Sequence, residues 1–468
     1  MTAGREQTLT AVKSPLSAEA LPDVAVLLMV GSAESPGLPP SRRLQMVGKE
    51  LELGRIAGDE NRRDANATVL HDSLVSGRHA RIVAQSDGTF VLIDLASKNG
   101  TWVDNTRLAD RIALRDGALI FIGNHVAVFR RVSAMDLEAM KGDLVNPLGP
   151  VATASPLLAV ACDRLRRLAA ASNELLILGE TGVGKEVYAR AVHAAGGRKG
   201  PFAVINCAAI PRELVESELF GYRQGAHSTA HQAKRGLIEE AEGGTLFLDE
   251  IGEMSTEAQT KLLRFLQDRE LTPLGSTRPR AMDVRIIAAT NRTPSSSGDK
   301  DAPGLRDDIV ARLGAAPLHL PALRDRVEDL GALIAYFLRA TPGAKLDQPA
   351  FRALCLHAWP LNVRELEKII TTAAVLTGGT RPITLRDLSE PIARALEAPV
   401  PPPRPTTPAA ARSTGPSPTS AQLEELLRKH DGNVAEVSRV LGKHRAAVWR
   451  WMKKFGLGPH GARRKDPE

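Results

Sequence analysis

The run LLILGETGVGKE at residues 175–186 constrains the fold more than any other stretch of the chain. An apolar strand pattern is followed at once by closely spaced glycines and then by a helical pattern that opens on Lys185. In such a turn Gly179, Glu180, Thr181, Gly182, Val183 and Gly184 can bring backbone N–H groups against phosphate oxygens. The helix start favours the anion, and Lys185 reaches the outer phosphates. Glu186 stands where a Ser or Thr usually follows the lysine. A second strand pattern, GGTLFLDE at 243–250, delivers two carboxylates to one strand end. Asp249 is the candidate Mg2+ ligand, directly or through water, and Glu250 the candidate for orienting and polarising an attacking water.

Around these motifs, apolar strands alternate with helical patterns (LLILG, FAVINC, TLFLDE, VRIIAATN), which predicts an α/β domain with a mostly parallel sheet over 151–320. Residues 321–395 turn helical and read as its lid. Upstream, 21–132 holds many short strands separated by turn signals such as SKNG, DN and RDG, the pattern of a β-sandwich, with 133–150 as a connector. Residues 396–420 are rich in Pro, Ser and Thr and read as a linker, and 421–458 as a small all-α unit. A chain of 468 residues is long enough for roughly two to four such domains.

The net charge of +7 is modest, but 443–455 carries five Lys/Arg and no Asp/Glu, pointing to a polyanion partner. Cys162, Cys207 and Cys355 lie far apart and fit no metal or redox spacing, so they read as reduced thiols. The early apolar run VAVLLMV at 24–30 is too short for a membrane span and lacks the flanks of a signal peptide. The expectation is a soluble cytoplasmic protein without a membrane partner.

The segments GETGVGKE, INCAAI, ELFGYRQGA, GGTLFLDEIGEM, VRIIAATN, LPALRDRVEDL and WPLNVREL resemble, in this order, the AAA+ domain of sigma-54-dependent transcription activators. That family also carries Glu after the P-loop lysine. The resemblance implies ATP and Mg2+ as cofactors and assembly as a dimer or hexameric ring, with ATP held between protomers. It implies Asn206 as the switch that holds Glu250 until nucleotide is sensed, and Asn291 as the γ-phosphate sensor. Arg306 and Arg312 are implied as the arginines entering a neighbour's site; surface ion pairs with Asp307 or Asp308 are their alternative reading. Arg364 matches the lid sensor, although Leu361 stands where the family has glycine, and leucine resists φ > 0 at that turn.

In the sandwich, GR at 54–55, SGRH at 76–79 and KNGT at 98–101 resemble the signature of forkhead-associated (FHA) domains, readers of phosphothreonine. By that resemblance Arg55, Ser76 and Asn99 hold the ligand with Lys98 helping, which fits the charge-assisted hydrogen bonds a phosphate dianion makes. The partner would be a phosphothreonine-bearing protein or a Ser/Thr kinase. His79 reads as structural and Gly100 as a turn residue with φ > 0. At the other end, EELLRKHDGNVAEVSRVLGKHRAAVWRWMKKFGL resembles the Fis-type helix-turn-helix that closes these activators. It implies DNA contact by Arg445, Arg450 and Lys453. Trp451 is a candidate for contact with DNA or a partner.

The loop that gives the family its output reads Gly-Ala-Phe-Thr-Gly-Ala in the family and GAHSTA here, at 225–230. His227 and Ser228 would be the contacts to sigma-54. His227 offers less apolar area than Phe, and Thr229 is stiffer than glycine. Two functions therefore stay open. One is a phosphothreonine-regulated, DNA-bound ATPase that remodels sigma-54 RNA polymerase. The other keeps the architecture but acts as a repressor or on another sigma factor. A third, an interaction scaffold with a silent nucleotide site, is opposed by the intact Lys185, Asp249 and Glu250.

Overall fold

The computed structural model describes residues 23–55, 67–171, 174–225, 232–291, 305–314, 317–397, 420–430 and 433–441, and the single positions 448, 451, 452, 455 and 457. The chain divides into two compact units, Met1–Pro401 and Pro402–Glu468.

The first unit opens with the expected sandwich. Its strands are β1 Val24–Ser32, β2 Leu44–Met46, β3 Glu50–Gly54, β4 Ala67–Val69, β5 Ala80–Ala84, β6 Phe90–Asp94, β7 Thr101–Val103, β8 Thr106–Arg107, β9 Arg111–Ala113, β10 Leu119–Ile122 and β11 His125–Val132. They form one sheet in the order β2-β1-β11-β10-β7-β8 and a second in the order β4-β3-β5-β6-β9. Strand β1 is apolar without alternation because both its faces are buried. Ala25, Leu27 and Met29 point into the sandwich with Leu53, Ile82 and Phe129. Val26, Leu28 and Val30 point the other way, into a core shared with Leu330, Ile334, Phe351 and Trp359 of the lid. The sandwich is thus fused to the lid through one continuous apolar core, which the domain-by-domain sequence reading does not foresee. At Gly331 the helix Leu330–Leu338 comes so close that a Cβ would lie 2.0 Å from the Val30 carbonyl oxygen, so only glycine fits.

The expected connector contains a helix. Residues Ala134–Val145 form a helix capped by Ser133, whose side chain accepts from the Asp136 N–H. Leu137, Met140 and Leu144 bury its apolar side. Buried Asp143 accepts from the Thr153 N–H at 2.9 Å and pairs with Arg166 at 2.5 Å, fastening the chain where the nucleotide-binding domain begins.

That domain has the predicted parallel sheet. Its strands are β12 Leu175–Leu178, β13 Phe202–Asn206, β14 Thr245–Asp249, β17 Arg285–Thr290 and β18 Leu318–His319, in the order β13-β14-β17-β12-β18. A short hairpin, β15 Glu270–Leu271 with β16 Arg280–Ala281, is inserted before β17. Alternate residues of the central strands enter opposite cores. Ile177, Phe247 and Ile287 pack with the helices Pro156–Ala170 and Lys185–Ala195. Leu176, Leu248 and Ile286 pack with the helices Arg212–Phe220 and Thr256–Asp268. The lid follows as the helices Leu330–Leu338, Gln348–Leu356 and Asn362–Thr377.

In the second unit the helices Ser420–Lys429 and Val434–Val440 bring Leu423, Leu427 and Val437 together with Val448, Met452 and Leu457. Val448 and Met452 stand four apart, as on one face of a helix. Trp451 packs partly against this core, which weighs against the reading of it as a free contact. All three cysteines are buried and free, and burial pushes each thiol up, that of Cys207 to about 12. No helix among the described residues is long and apolar enough to cross a membrane.

Candidate functional site

The glycine loop leaves β12 and enters the helix Lys185–Ala195 through Gly182 (φ 79) and Gly184 (φ 102), both in the left-handed region. Gly182 has no room for a side chain: a Cβ there would meet the Leu361 carbonyl oxygen at 2.1 Å. The loop is therefore clamped between the sheet and the lid helix. Lys185 is buried, its Nζ 3.0 Å from the Gly179 carbonyl oxygen and 3.3 Å from Glu250 Oε1. Glu186 faces out and pairs with Arg190 one turn on.

Opposite the lysine, Asp249 closes β14 and Glu250 sits at φ 51, a conformation a non-glycine residue adopts at a cost of about 1–3 kcal/mol. Its Oε2 accepts from the Asn291 backbone N–H at 3.1 Å, which fixes the carboxylate at the end of β17. Burial raises the Asp249 carboxyl above the usual range, Glu250 adds to that, and Lys185 opposes it. A cation beside Asp249 would relieve both effects. Asn206, expected to hold Glu250, instead lies beside Asp249, Nδ2 to Oδ2 3.4 Å. Asn291 Nδ2 reaches Thr181 Oγ1 at 3.4 Å, so the proposed γ-phosphate sensor already faces the loop. This donor set suits a Mg2+-nucleotide: backbone N–H groups on positive-φ glycines, one buried lysine and two carboxylates. Mg2+ keeps several waters and needs only one or two protein carboxylates.

The two candidate arginines are engaged within the chain. Arg306 forms the ion pair with Asp308, at 2.7 Å, that was its alternative reading, and also donates to Thr260 Oγ1 at 2.9 Å. Arg312 donates to the Leu266 carbonyl oxygen from Nε at 3.1 Å and from a terminal nitrogen at 3.0 Å. Arg364 is exposed and its backbone N–H donates to the Gly182 carbonyl oxygen at 3.3 Å, so the lid sensor stands at the phosphate loop. Leu361 has ordinary backbone (φ −105, ψ 18), contrary to the expected strain, because Trp359 (φ 52) and Asn362 (φ 55) take the left-handed positions.

The sequence reading lists LPALRDRVEDL as a motif but gives no role to its residues at 323–329. Arg324 grips the Glu180 carboxylate, with contacts of 2.8 and 2.5 Å, and Arg326 donates to the Val183 carbonyl oxygen at 3.0 Å. Asn362 Nδ2 reaches the Thr181 carbonyl oxygen at 3.0 Å. Glu328 and Asp329, in the same segment, turn to the sandwich and pair with Arg130 at 3.0 Å and Arg43 at 2.8 Å. The motif was legible as a motif; its two-sided use depends on the docking of the sandwich.

The FHA candidates converge. Arg55 follows β3 and its Nε donates to the Val75 carbonyl oxygen at 3.1 Å. Ser76 Oγ accepts from the Lys98 N–H at 3.1 Å, and Asn99 Nδ2 donates to the Leu74 carbonyl oxygen at 2.7 Å. His79 is fully buried, Nδ1 accepting from the Ser76 N–H at 3.0 Å and Nε2 lying 3.3 Å from the Gly100 carbonyl oxygen. Burial lowers its pKa, so the ring is neutral at pH 7 and acts as the brace between the two loops. Gly100 takes the expected positive φ, 80.

The residues that flank the GAHSTA segment form a two-residue bridge. Tyr222 and Lys234 exchange backbone hydrogen bonds of 2.9 Å just after the helix Arg212–Phe220, and the β15–β16 hairpin supports them where the Leu274 carbonyl oxygen accepts from the Arg223 N–H at 3.0 Å. His227 and Ser228, like Arg445, Arg450 and Lys453, lie outside the described residues.

A five-stranded parallel sheet with a phosphate loop, a carboxylate pair two strands away and a helical lid defines an AAA+ nucleotide-binding domain, carried here with an FHA sandwich. Residues 151–319 match the Sigma-54 interaction domain family, 52–123 the FHA domain and 324–401 the AAA+ ATPase lid domain. The chain is 36% identical over 350 residues to the Regulatory protein AtoC of Escherichia coli (strain K12), covering 70% of this chain and 74% of AtoC. It is 43% identical over 272 residues to the DNA-binding transcriptional regulator NtrC of Rhizobium meliloti (strain 1021), covering 57% of this chain and 54% of that protein. The chain thus spans about half the length of the NtrC relatives it matches. A crystal structure of NtrX from Brucella abortus in complex with ADP aligns at a TM-score of 0.48 and 28% identity, over 69% of this chain and 72% of that one. The chain belongs to the family of sigma-54-dependent transcription activators.

Proposed function

We propose that the protein is a DNA-bound, ring-forming ATPase that remodels sigma-54 RNA polymerase under the control of a phosphothreonine ligand. The observation that carries the ATPase reading is the juxtaposition of Lys185, Glu250 and the Asn291 N–H at one strand end. The glycine loop and Lys185 would hold the phosphates of ATP, Asp249 the Mg2+, and ATP hydrolysis would supply the free energy. Glu250, freed from Lys185 by the incoming phosphates, orients a water and takes its proton. Asn206, which lies beside Asp249, would switch its amide to Glu250 as nucleotide is sensed. For Arg306 to act on a neighbour's phosphate it must leave Asp308, so assembly exchanges one ion pair for another. Arg445, Arg450 and Lys453 supply the contacts to DNA.

The FHA loops serve as the input, with Arg55, Ser76, Lys98 and Asn99 holding the phosphate. Arg55→Ala should weaken binding of a phosphothreonine peptide in fluorescence anisotropy by about 10–150-fold, the worth of one hydrogen bond to a charged group. An unchanged affinity assigns the phosphate to another site.

The sequence GAHSTA favours a second reading, in which the ATPase acts on another sigma factor or represses. Retention of the protein on immobilised sigma-54, with and without an ATP transition-state analogue, separates the two. Analogue-dependent retention is the expected result. Retention indifferent to the analogue, or none, leaves the second reading.

A further inference from the structure

A cavity of about 40 Å3 lies where the sandwich meets the lid, lined by Asn99, Gly100, Trp102 and Phe121 on one side and by Gln348 and Arg352 on the other. Asn99 is both a phosphothreonine candidate and part of the cavity wall, so the cavity adjoins the candidate site. An extended peptide advances about 3.3 Å per residue, which brings a side chain a few residues from the phosphothreonine to the cavity.

The lid side of that cavity is cationic. Arg352 stands on the helix Gln348–Leu356 with its guanidinium 4.1 Å from the Trp102 ring centroid and 4.9 Å from that of Phe121. One terminal nitrogen donates to Asn105 Oδ1 at 3.1 Å, while Nε is buried without a hydrogen-bond partner. No carboxylate pairs with it among the described residues, unlike Arg43 and Arg130 at the same junction. Burial lowers its pKa with no neighbouring acid to offset the effect. Asp72 accepts from the N–H of Asn124, another residue of the cavity wall. A half-buried guanidinium without a counter-charge, stacked on two aromatic rings, is a site for an anion supplied by a ligand.

We infer that the phosphothreonine site is composite: the sandwich holds the phosphate, and Arg352 of the ATPase lid reads an acidic side chain that the same ligand carries a few residues away. The inference rests on the FHA reading given above. Its ligand class is a phosphothreonine peptide with Asp or Glu near the modified residue. Because one ligand then touches both modules, its binding senses whether the sandwich is docked on the lid.

The test uses the full chain and synthetic phosphothreonine peptides in which each flanking position is in turn Glu, Ala or Lys, read by fluorescence anisotropy. The wild type should favour Glu over Ala at one position by about tenfold or more, as a hydrogen bond between charged groups implies. Arg352→Gln should remove that preference while leaving the affinity for the Ala peptide within about twofold, a difference too small to represent a lost hydrogen bond. Arg352→Lys, which keeps the charge, should keep a preference for Glu. Undiminished selectivity in Arg352→Gln overturns the inference, as does equal loss in Arg352→Gln and Arg352→Lys, which would mark a packing role. A wild type that binds no phosphothreonine peptide, or whose binding survives Arg55→Ala, fails at the earlier step and takes the composite site with it.

Discussion

Glu250→Gln should slow ATP turnover by about 10²–10⁴-fold while the protein still binds nucleotide, because the change removes a general base and little else. Glutamine has the same reach, and its side-chain oxygen can still accept the Asn291 N–H that now fixes Glu250 Oε2 at 3.1 Å. What it cannot do is take a proton from water. It also loses the charge attraction to Lys185, whose Nζ lies 3.3 Å from Glu250 Oε1. A phosphate group would meet the lysine with less competition, so nucleotide affinity should hold or rise. Steady-state phosphate release, together with equilibrium binding of a fluorescent ATP analogue, separates the two effects. Turnover within threefold of wild type would remove Glu250 from the reaction, since even the low end of the range for a positioned base is about 10². Lys185→Ala is the matched control, expected to lose binding as well as turnover.

Arg43→Ala should destabilise the first unit by about 3–5 kcal/mol, the usual cost of leaving a buried charge without its partner. The side chains of Arg43 and Asp329 are 2% and 4% exposed and 2.8 Å apart. Arg43 also donates to the carbonyl oxygens of Glu328, at 3.0 Å, and Ala152. Removal of the guanidinium therefore strands one carboxylate and two carbonyls inside the sandwich–lid junction. Asp329 keeps the Thr153 hydroxyl and the Ala154 N–H as donors. For that reason Arg43→Met combined with Asp329→Asn, which removes both charges, keeps an oxygen for the Ala154 N–H and offers its amide N–H to the Thr153 hydroxyl oxygen, should recover much of the loss. Urea unfolding followed by far-UV circular dichroism reads both variants. A loss below about 1 kcal/mol in Arg43→Ala, the scale of an exposed ion pair, would mean that the junction opens to water in solution.

The chemistry of the nucleotide site was legible because it is local. Asp249 and Asn291 sit at the ends of apolar strands and Lys185 opens the helix just after a third, and parallel strands present such ends along one edge of the sheet. The FHA signature was legible for the same reason: Arg55, Ser76 and Asn99 follow short strands that one sandwich end collects. Arg324, Arg326 and Asn362 were not, because their partners Glu180, Val183 and Thr181 lie more than a hundred residues away. Leu361 shows the limit of a position-by-position comparison. The turn accommodates it by placing the positive φ on Trp359 and Asn362.

The sequence by itself determined the sandwich, the nucleotide-binding domain with its lid, and the candidate phosphate residues, since strand period, glycine spacing and carboxylate placement act over a few residues. Only the tertiary structure decided that the sandwich and the lid share a core. VAVLLMV carried the signal, an apolar strand with no alternation, but burial on both faces does not say what covers each face. The answer lies in Val26, Leu28 and Val30 meeting Leu330 and Ile334, and in Arg43 and Arg130 finding Asp329 and Glu328. Those contacts join residues about two to three hundred positions apart, and no periodicity reaches that far.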